Sequence, residues 1–352
     1  MMNRVEIEMS KMLTCSVAMT TYNGEKYIEQ QLCSIMNQTH VIDEVVITDD
    51  GSSDDTVRIV RDFICKNHLS NWMLICNENN LGYTANFEKC ISKCCGDIIF
   101  LCDQDDIWYP DKVSRILAVF ESNEDCLSVA TNFHLIDSKG DRITNSANND
   151  NCWCYSKKRK YISDNLYQVD ITEVLNHNIA PGCTQALRRS LVNGFLYHGY
   201  NTIHDYRITL LASLIGHMYY LDLPLVMYRI HENNSVGYPD YCLMRKKKER
   251  SKIFKSYFIY IYNLIHKQVK LEYNRREKIR WLRDNYKDNP DVIRWIDFAE
   301  NREKLFSDRK HKIRYYFKQM KYRRERKTVT YTNDRYERFT FRMNDIAAIW
   351  MK

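Results

Sequence analysis

The stretch Ile98-Ile99-Phe100-Leu101-Cys102-Asp103-Gln104-Asp105-Asp106 decides the fold, because five consecutive apolar residues end abruptly in three carboxylates. An uninterrupted apolar run of this length is how a strand covered on both faces of a parallel sheet reads, and in open α/β sheets ligands bind beyond the carboxyl ends of such strands. Asp103 and Asp105 alternate along an extended chain, which lets both side chains converge on one divalent cation. The plainer alternative is a solvated acidic turn capping a helix that begins near Pro110.

The flanking sequence favours the first reading. Cys15 to Met19 reads as a strand that ends in Thr20-Thr21-Tyr22-Asn23-Gly24, and Ile28, Leu32, Ile35 and Met36 give Tyr27 to Met36 helical spacing. Val45 to Thr48 is a second strand, running directly into Asp49-Asp50-Gly51-Ser52-Ser53-Asp54. A helix from Thr56 to Ile64, N-capped by Ser53 or Asp54, a strand from Met73 to Cys76 and a helix from Asn86 to Ser92 complete the alternation. The pattern predicts an α/β fold with a doubly wound, mostly parallel sheet whose strands all point their carboxyl ends one way. Asp49-Asp50 and Asp103 to Asp106 therefore share one sheet edge.

From Leu127 onward the pattern becomes isolated apolar runs, with a polar excursion over residues 137 to 165. Ile179 to Leu187 restores an extended element, His204-Asp205 opens a helix, and Tyr219 to Tyr228 leads into Arg229-Ile230-His231.

At 352 residues the chain has room for one large domain and an appendage. Its net charge of +7 hides a split: residues 240–352 carry 32 Lys+Arg against 15 Asp+Glu, a balance of +17, whereas residues 1–239 carry 20 against 30, a balance of −10. We therefore divide the chain into a domain over 12–239 and a basic, helical C-terminal region over 240–352. Within the latter, Ile253 to Val269 has an apolar face suited to a membrane interface or to packing on a neighbour. No signal-peptide pattern opens the chain and no run reaches the roughly 18 apolar residues of a membrane span, which predicts a cytoplasmic protein, peripheral at most. The 13 cysteines, Cys94-Cys95 and Cys152-x-Cys154 among them, lack a second pair at zinc spacing and read as small hydrophobes. No nucleic-acid-binding motif accompanies the basic charge, which leaves nucleic acid a poor partner.

Six short motifs then stand in order: Thr-Thr-Tyr-Asn at 20–23, Asp-Asp-Gly-Ser-Ser-Asp at 49–54, Asn-Leu-Gly at 80–82, Asp-Gln-Asp-Asp at 103–106, His-Asp at 204–205 and Tyr-Arg-Ile-His-Glu-Asn-Asn at 228–234. Together, over residues 13 to 237, they resemble the family 2 glycosyltransferases, inverting nucleotide-sugar transferases of GT-A fold. Cys-Asp-Gln-Asp-Asp-Ile-Trp at 102–108 and the His-Asp helix start look most like the bacterial rhamnosyltransferase-type members that build surface polysaccharide.

The resemblance implies roles. Thr20, Tyr22, Asp49, Ser52 and Asn86 would form the donor side, with Asp49 accepting the imide N–H of a uridine or thymidine; turn formation and helix capping are its structural alternative. Asp103 would contact the ribose or a metal, Asp105 would bind Mg²⁺ or Mn²⁺ with help from His231, and Asp106 either bonds a sugar hydroxyl or caps the next helix. Asp205 matches the catalytic acid position, where it would deprotonate the acceptor; its alternative is an N-cap, and a helix dipole would weaken it as a base while burial would strengthen it. His204 and Trp108 are candidate acceptor contacts, a core aromatic being the other reading of Trp108. The implied reaction is sugar transfer from a dTDP- or UDP-linked donor, such as dTDP-rhamnose, to a lipid-linked saccharide at the inner face of the membrane. The alternative is a non-catalytic GT-A-like module that binds nucleotide sugar or scaffolds an assembly. In one place the chain departs from the family: Tyr83-Thr84-Ala85-Asn86 follows Asn-Leu-Gly where many members carry Ala-Arg-Asn.

Overall fold

The structure is a computed structural model, and it describes residues 12–143, 160–175, 178–197, 202–232, 234 and 277–307. The first half alternates as β1 (Cys15–Thr21), α1 (Ile28–Met36), β2 (Glu44–Asp49), α2 (Thr56–Lys66), β3 (Trp72–Cys76), α3 (Tyr83–Lys93) and β4 (Ile98–Asp103). These four strands pair in parallel in the order β3-β2-β1-β4. Burial explains why the apolar runs became strands: every residue of β1 is buried, and β4 is buried from Ile98 to Cys102 and emerges only at Asp103. The register opposes Thr21 to Asp49 and Thr20 to Asp103, so the three strand ends lie side by side.

The second half comprises β5 (Ile107–Trp108), α4 (Lys112–Ser122), β6 (Cys126–Ile136), β7 (Lys160–Ser163), β8 (Leu166–Gln168), α5 (Ile171–Val174), β9 (Gln185–Arg188), α6 (Val192–Tyr197), α7 (His204–Ile215) and β10 (His217–Arg229). β9 inserts antiparallel between β4 and β6, and the sheet runs on through β10, β8 and β7. β6 and β10 are parallel partners of 11 and 13 residues, where the sequence showed only isolated apolar runs. The reason is the buried polar group within β6. Asn132 donates to Asp222 at 2.9 Å, and Ser128 and Thr131 donate to backbone carbonyls, so these residues are satisfied inside the core while breaking the apolar pattern. At the end of the expected polar excursion β7 forms, and it pairs antiparallel with β8 just beyond it.

Helices cover both faces. One core joins β1, β2 and β4 to α1, α2 and α4 through Leu32, Val60 and Phe120; the other joins them to α3, α6 and α7 through Phe87, Phe195 and Leu211. Two further helices, α8 over 277–285 and α9 (Pro290–Ser307), contribute Leu282, Val292, Trp295 and Ile296 to this second core. Buried Lys278 fixes them in place by donating to the Leu175 carbonyl at 2.5 Å and the Tyr206 hydroxyl at 2.6 Å. Part of the basic C-terminal region is thus built into the wall behind α7 rather than appended to it. The helix expected over 253–269 lies outside the described residues.

Candidate active site

Beyond the ends of β1 and β4, and the start of α7, lies one open cleft of about 960 Å³. Asp103, Asp105, Thr20, Tyr22, Asn86, His204, Asp205 and His231 line it, so residues up to 211 positions apart in sequence meet there.

At the β4 tip the carboxylates have few partners. Asp103 makes no side-chain hydrogen bond among the described residues, and its pKa is driven upward by burial and then by the charges of Asp106, Asp105 and Asp205. Asp105 accepts from His231 Nε2 at 2.8 Å and from Asn234 Nδ2 at 3.3 Å through Oδ2, while Oδ1 has no partner among the described residues. Asp106 is buried, accepts the Arg229 amide at 3.0 Å, and leaves Oδ2 unpartnered; burial and neighbouring Asp105 push it up to about 7. It neither lines the cleft nor caps α4, whose N-cap is Asp111. Ligand atoms of Asp103, Asp106 and Cys183 lie within 4.8 Å of one another.

The β2 tip is arranged differently. Asp49 lies outside the cleft, and both its oxygens are engaged: it accepts from the Thr21 hydroxyl at 2.8 Å, the Gly51 and Ser52 amides at 3.2 and 2.8 Å and the Ser52 hydroxyl at 2.5 Å. With about four lone-pair sites filled, the carboxylate has no direction left for a nucleobase, which corrects the sequence-based role. Ser52 is likewise a turn residue, bonded to Asp49 and accepting the Asn23 amide at 2.8 Å. The acid that reaches the cleft is Asp50, although it too accepts from Asn77 and from the Leu81 and Gly82 amides, each at 2.8 Å. Asn86 borders the cleft with both ends of its amide tied, donating to the Thr48 carbonyl at 3.0 Å and accepting from Asn77 at 2.9 Å. It braces this side of the cleft from beneath. Thr20 and Tyr22 do face the cleft, the Tyr22 ring half exposed.

On the far side, Asp205 sits in the first turn of α7, one residue past His204 and not at the N-cap, which is Ile203. Its Oδ1 accepts the Tyr206 amide at 2.6 Å and its Oδ2 accepts from Asn178 at 2.9 Å, yet burial outweighs these and raises the carboxyl to about 6. His204 stacks on Phe87 with ring centroids 4.0 Å apart; burial lowers its pKa to about 3, so the imidazole is neutral, and neither ring nitrogen has a hydrogen-bond partner among the described residues. Gly182 approaches so closely that a Cβ there would stand 2.8 Å from His204 Nε2. Trp108 is 2 % exposed and absent from the cleft; it packs beneath β4 against Phe100, which corrects its candidacy as an acceptor platform.

Several organising residues escaped the sequence reading. Gln104 grips the first loop, accepting the Tyr22 amide at 2.8 Å and donating to its carbonyl at 2.9 Å, a seat open only because residue 24 is glycine. Buried Arg229 donates to the Asp105 and Asp137 carbonyls and to Gln30. Gln104 and Arg229 each stood within a quoted motif, so position was a signal; Asn178, outside every motif, gave none.

A parallel half joined to a mixed half, with an acid cluster and a raised carboxyl meeting in one cleft, is the architecture of the GT-A fold. The glycosyl transferase family 2 model matches residues 16–195, and the chain belongs to that family. It is 29 % identical over 238 residues to a Shigella flexneri protein, "dTDP-rhamnosyl transferase RfbG", the match covering 62 % of this chain and 73 % of that one. It is 31 % identical over 128 residues to the "putative glycosyltransferase EpsE" of Bacillus subtilis, over 36 % of this chain and 45 % of that one. Among solved structures, GalNAc-T7 with UDP, GalNAc and Mn²⁺ superposes with a TM-score of 0.53 at 13 % identity, over 64 % of this chain and 45 % of that one. The matched part therefore spans less than half of the Bacillus and GalNAc-T7 chains, and the last likeness is one of fold. Among the described residues no helix is long and apolar enough to cross a membrane.

Proposed function

We propose that this family 2 glycosyltransferase is an inverting, metal-dependent enzyme that moves a sugar from a nucleoside diphosphate, rhamnose from dTDP by likeness to the Shigella protein, to a growing surface saccharide. The observation that carries the reading is the meeting of two kinds of acid in one cleft: the unpartnered Asp103 and half-partnered Asp105, and Asp205 with its carboxyl raised to about 6. Asp205 is then a base at neutral pH and stronger than an exposed aspartate, with Asn178 and the Tyr206 amide orienting it toward the acceptor hydroxyl. Thr20 and Tyr22 would border the nucleoside.

Asp103, Asp105 and His231 suit Mg²⁺ or Mn²⁺, since they offer two carboxylates and an imidazole, with an Asp105 oxygen that has no partner among the described residues. The Asp103–Asp106–Cys183 group fits less well: burial holds the Cys183 thiol far above its ordinary pKa, and a protonated thiol is a poor ligand for a hard cation. Held by Asp103, Asp105 and His231, the ion would neutralise charge developing on the departing diphosphate. A lipid-linked acceptor at the cytoplasmic membrane face is supported by the +17 balance of residues 240–352. Vesicles of neutral and anionic lipid should then differ in flotation with the protein, and equal recovery breaks that part.

A thermal-shift panel of dTDP- and UDP-sugars with and without Mn²⁺ tests the whole. One donor at 100-fold its Kd should stabilise the fold by about 2.7 kcal/mol, and the gain should vanish with chelator. Indifference to every donor overturns the proposal, as does a bound donor that is never turned over.

A further inference from the structure

Lys112 is completely buried, an uncommon place for an ammonium. Burial lowers its pKa only to about 8, so it remains largely charged at neutral pH. Its Nζ donates to the Cys183 carbonyl at 2.8 Å and sits 3.6 Å from the centroid of the Trp108 ring, which a cation favours on its π face. Asp106 and Asp103 are close enough for their charges and that of Lys112 to act on one another. Lys112 does not line the cleft.

These contacts bridge the two sides of the site. Lys112 opens α4, immediately after the acid-bearing loop, and its one backbone partner belongs to the short turn Gly182–Thr184. In that turn Gly182 presses against His204 and lies 3.5 Å, as a Cβ, from that of Asp205. A side chain tethered to the acid cluster by charge and to this turn by a hydrogen bond fixes how far the acids stand from the base. A hydrophobic residue of similar length would fill the space without the desolvation cost of an ammonium, so packing alone does not call for lysine here.

We infer that Lys112 is a positioning residue: through the Cys183 carbonyl it holds the Gly182–Thr184 turn, and with it Asp205, at a set distance from the acids of the β4 tip. The inference rests on the transferase reading above. It is tested on the full chain with Mn²⁺ and the dTDP- or UDP-sugar selected by thermal shift, following release of nucleoside diphosphate and normalising to the fraction of molecules that bind donor. Lys112→Met should lower kcat about 100-fold, the scale of a 1 Å misplacement, while donor KM stays within about threefold, because Lys112 does not touch the donor cleft. Lys112→Gln, which keeps a donor for the carbonyl but not the charge, should fall between the two. Thr184→Val removes another brace of the turn, a 2.8 Å hydrogen bond from its hydroxyl to the Pro181 carbonyl, without disturbing the buried charge, and should also lower kcat. Should Lys112→Met not fold, the Gln and Val variants decide. Wild-type kcat per folded molecule in the variants, or a change confined to KM, overturns the role of Lys112 alone. A wild type that turns over no donor overturns the transferase reading beneath it.

Discussion

Two strand ends on one sheet edge carry the same chemistry and use it oppositely. At the β2 tip, Asp49 and Asp50 collect seven hydrogen bonds from hydroxyls, amides and Asn77. At the β4 tip, among the described residues, Asp103 has no such partner, Asp106 accepts the Arg229 amide and leaves its other oxygen without a hydrogen bond, and Asp105 leans on His231 and Asn234. A carboxylate surrounded by donors is stabilised as a charge and shapes a turn; one that is buried without donors is held at a cost and is available to a cation or a proton. Neighbouring acids can therefore be sorted into structural and reactive by what already occupies their lone pairs.

The sharpest way to break this contrast is Asp105→Ala. Removing one of the carboxylates proposed to hold the ion should lower kcat by about 10³-fold, comparable with losing a transition-state donor, with thermal stability little changed and donor stabilisation by Mn²⁺ lost. Activity that survives without metal would place Asp105 with the structural acids. Next is Asp205→Asn, expected to cost about 10²- to 10⁴-fold in turnover as a lost general base. In wild type the rate should fall as pH drops through about 6, because the base must be deprotonated. The stability effect has the opposite sense. A carboxyl raised from 3.8 to about 6 on folding stabilises the native state below 3.8 and loses that contribution as pH rises through 6. The neutral amide should therefore gain about 1–3 kcal/mol at pH 8 in denaturant unfolding. A variant both inactive and destabilised would assign Asp205 a structural role.

The contrast was only partly legible in sequence. Period and apolar run length revealed the four parallel strands and brought both acid pairs to one edge, since parallel strands share a direction. What they could not supply is phase at the strand end. The carboxylates of Asp49 and Asp50 differ by one residue, and which faces the cleft depends on Thr21 and Ser52 arriving from another strand and a turn. β6 was obscured because its polar residues find partners across the fold. Lys112 was missed because a lysine beyond a proline reads as surface, and only the folded chain shows it stacked on the indole of Trp108, which takes the core placement that was its other reading. The position proposed for the base was named by a motif, and its raised pKa follows from burial that no local spacing encodes.

A smaller effect separates structure from chemistry on the β2 side. Asp49→Ala deletes four hydrogen bonds to a charged group and leaves the Thr21 and Ser52 donors without an acceptor, so about 3 kcal/mol of stability should be lost. Turnover per folded molecule should stay within a few-fold of wild type at low temperature. A large rise in donor KM instead, with stability intact, would return Asp49 to the nucleobase.

The mildest test lies where the two tips are joined. Gln104, from the acid loop, pairs with both the amide and the carbonyl of Tyr22 in the first loop, at 2.8 and 2.9 Å, and so sets the height of the Tyr22 ring above the cleft. These are neutral, partly exposed hydrogen bonds, worth about 1 kcal/mol each. Gln104→Leu preserves the bulk against Gly24 and removes both bonds. Donor KM should rise about 5- to 30-fold, the equivalent of 1 to 2 kcal/mol, while kcat at saturating donor is kept, because neither the acids nor Asp205 moves. A fall in kcat with KM unchanged would mean that the clamp steadies the acid loop rather than the nucleoside slot, and would move Tyr22 from the donor side of the comparison to the reactive one.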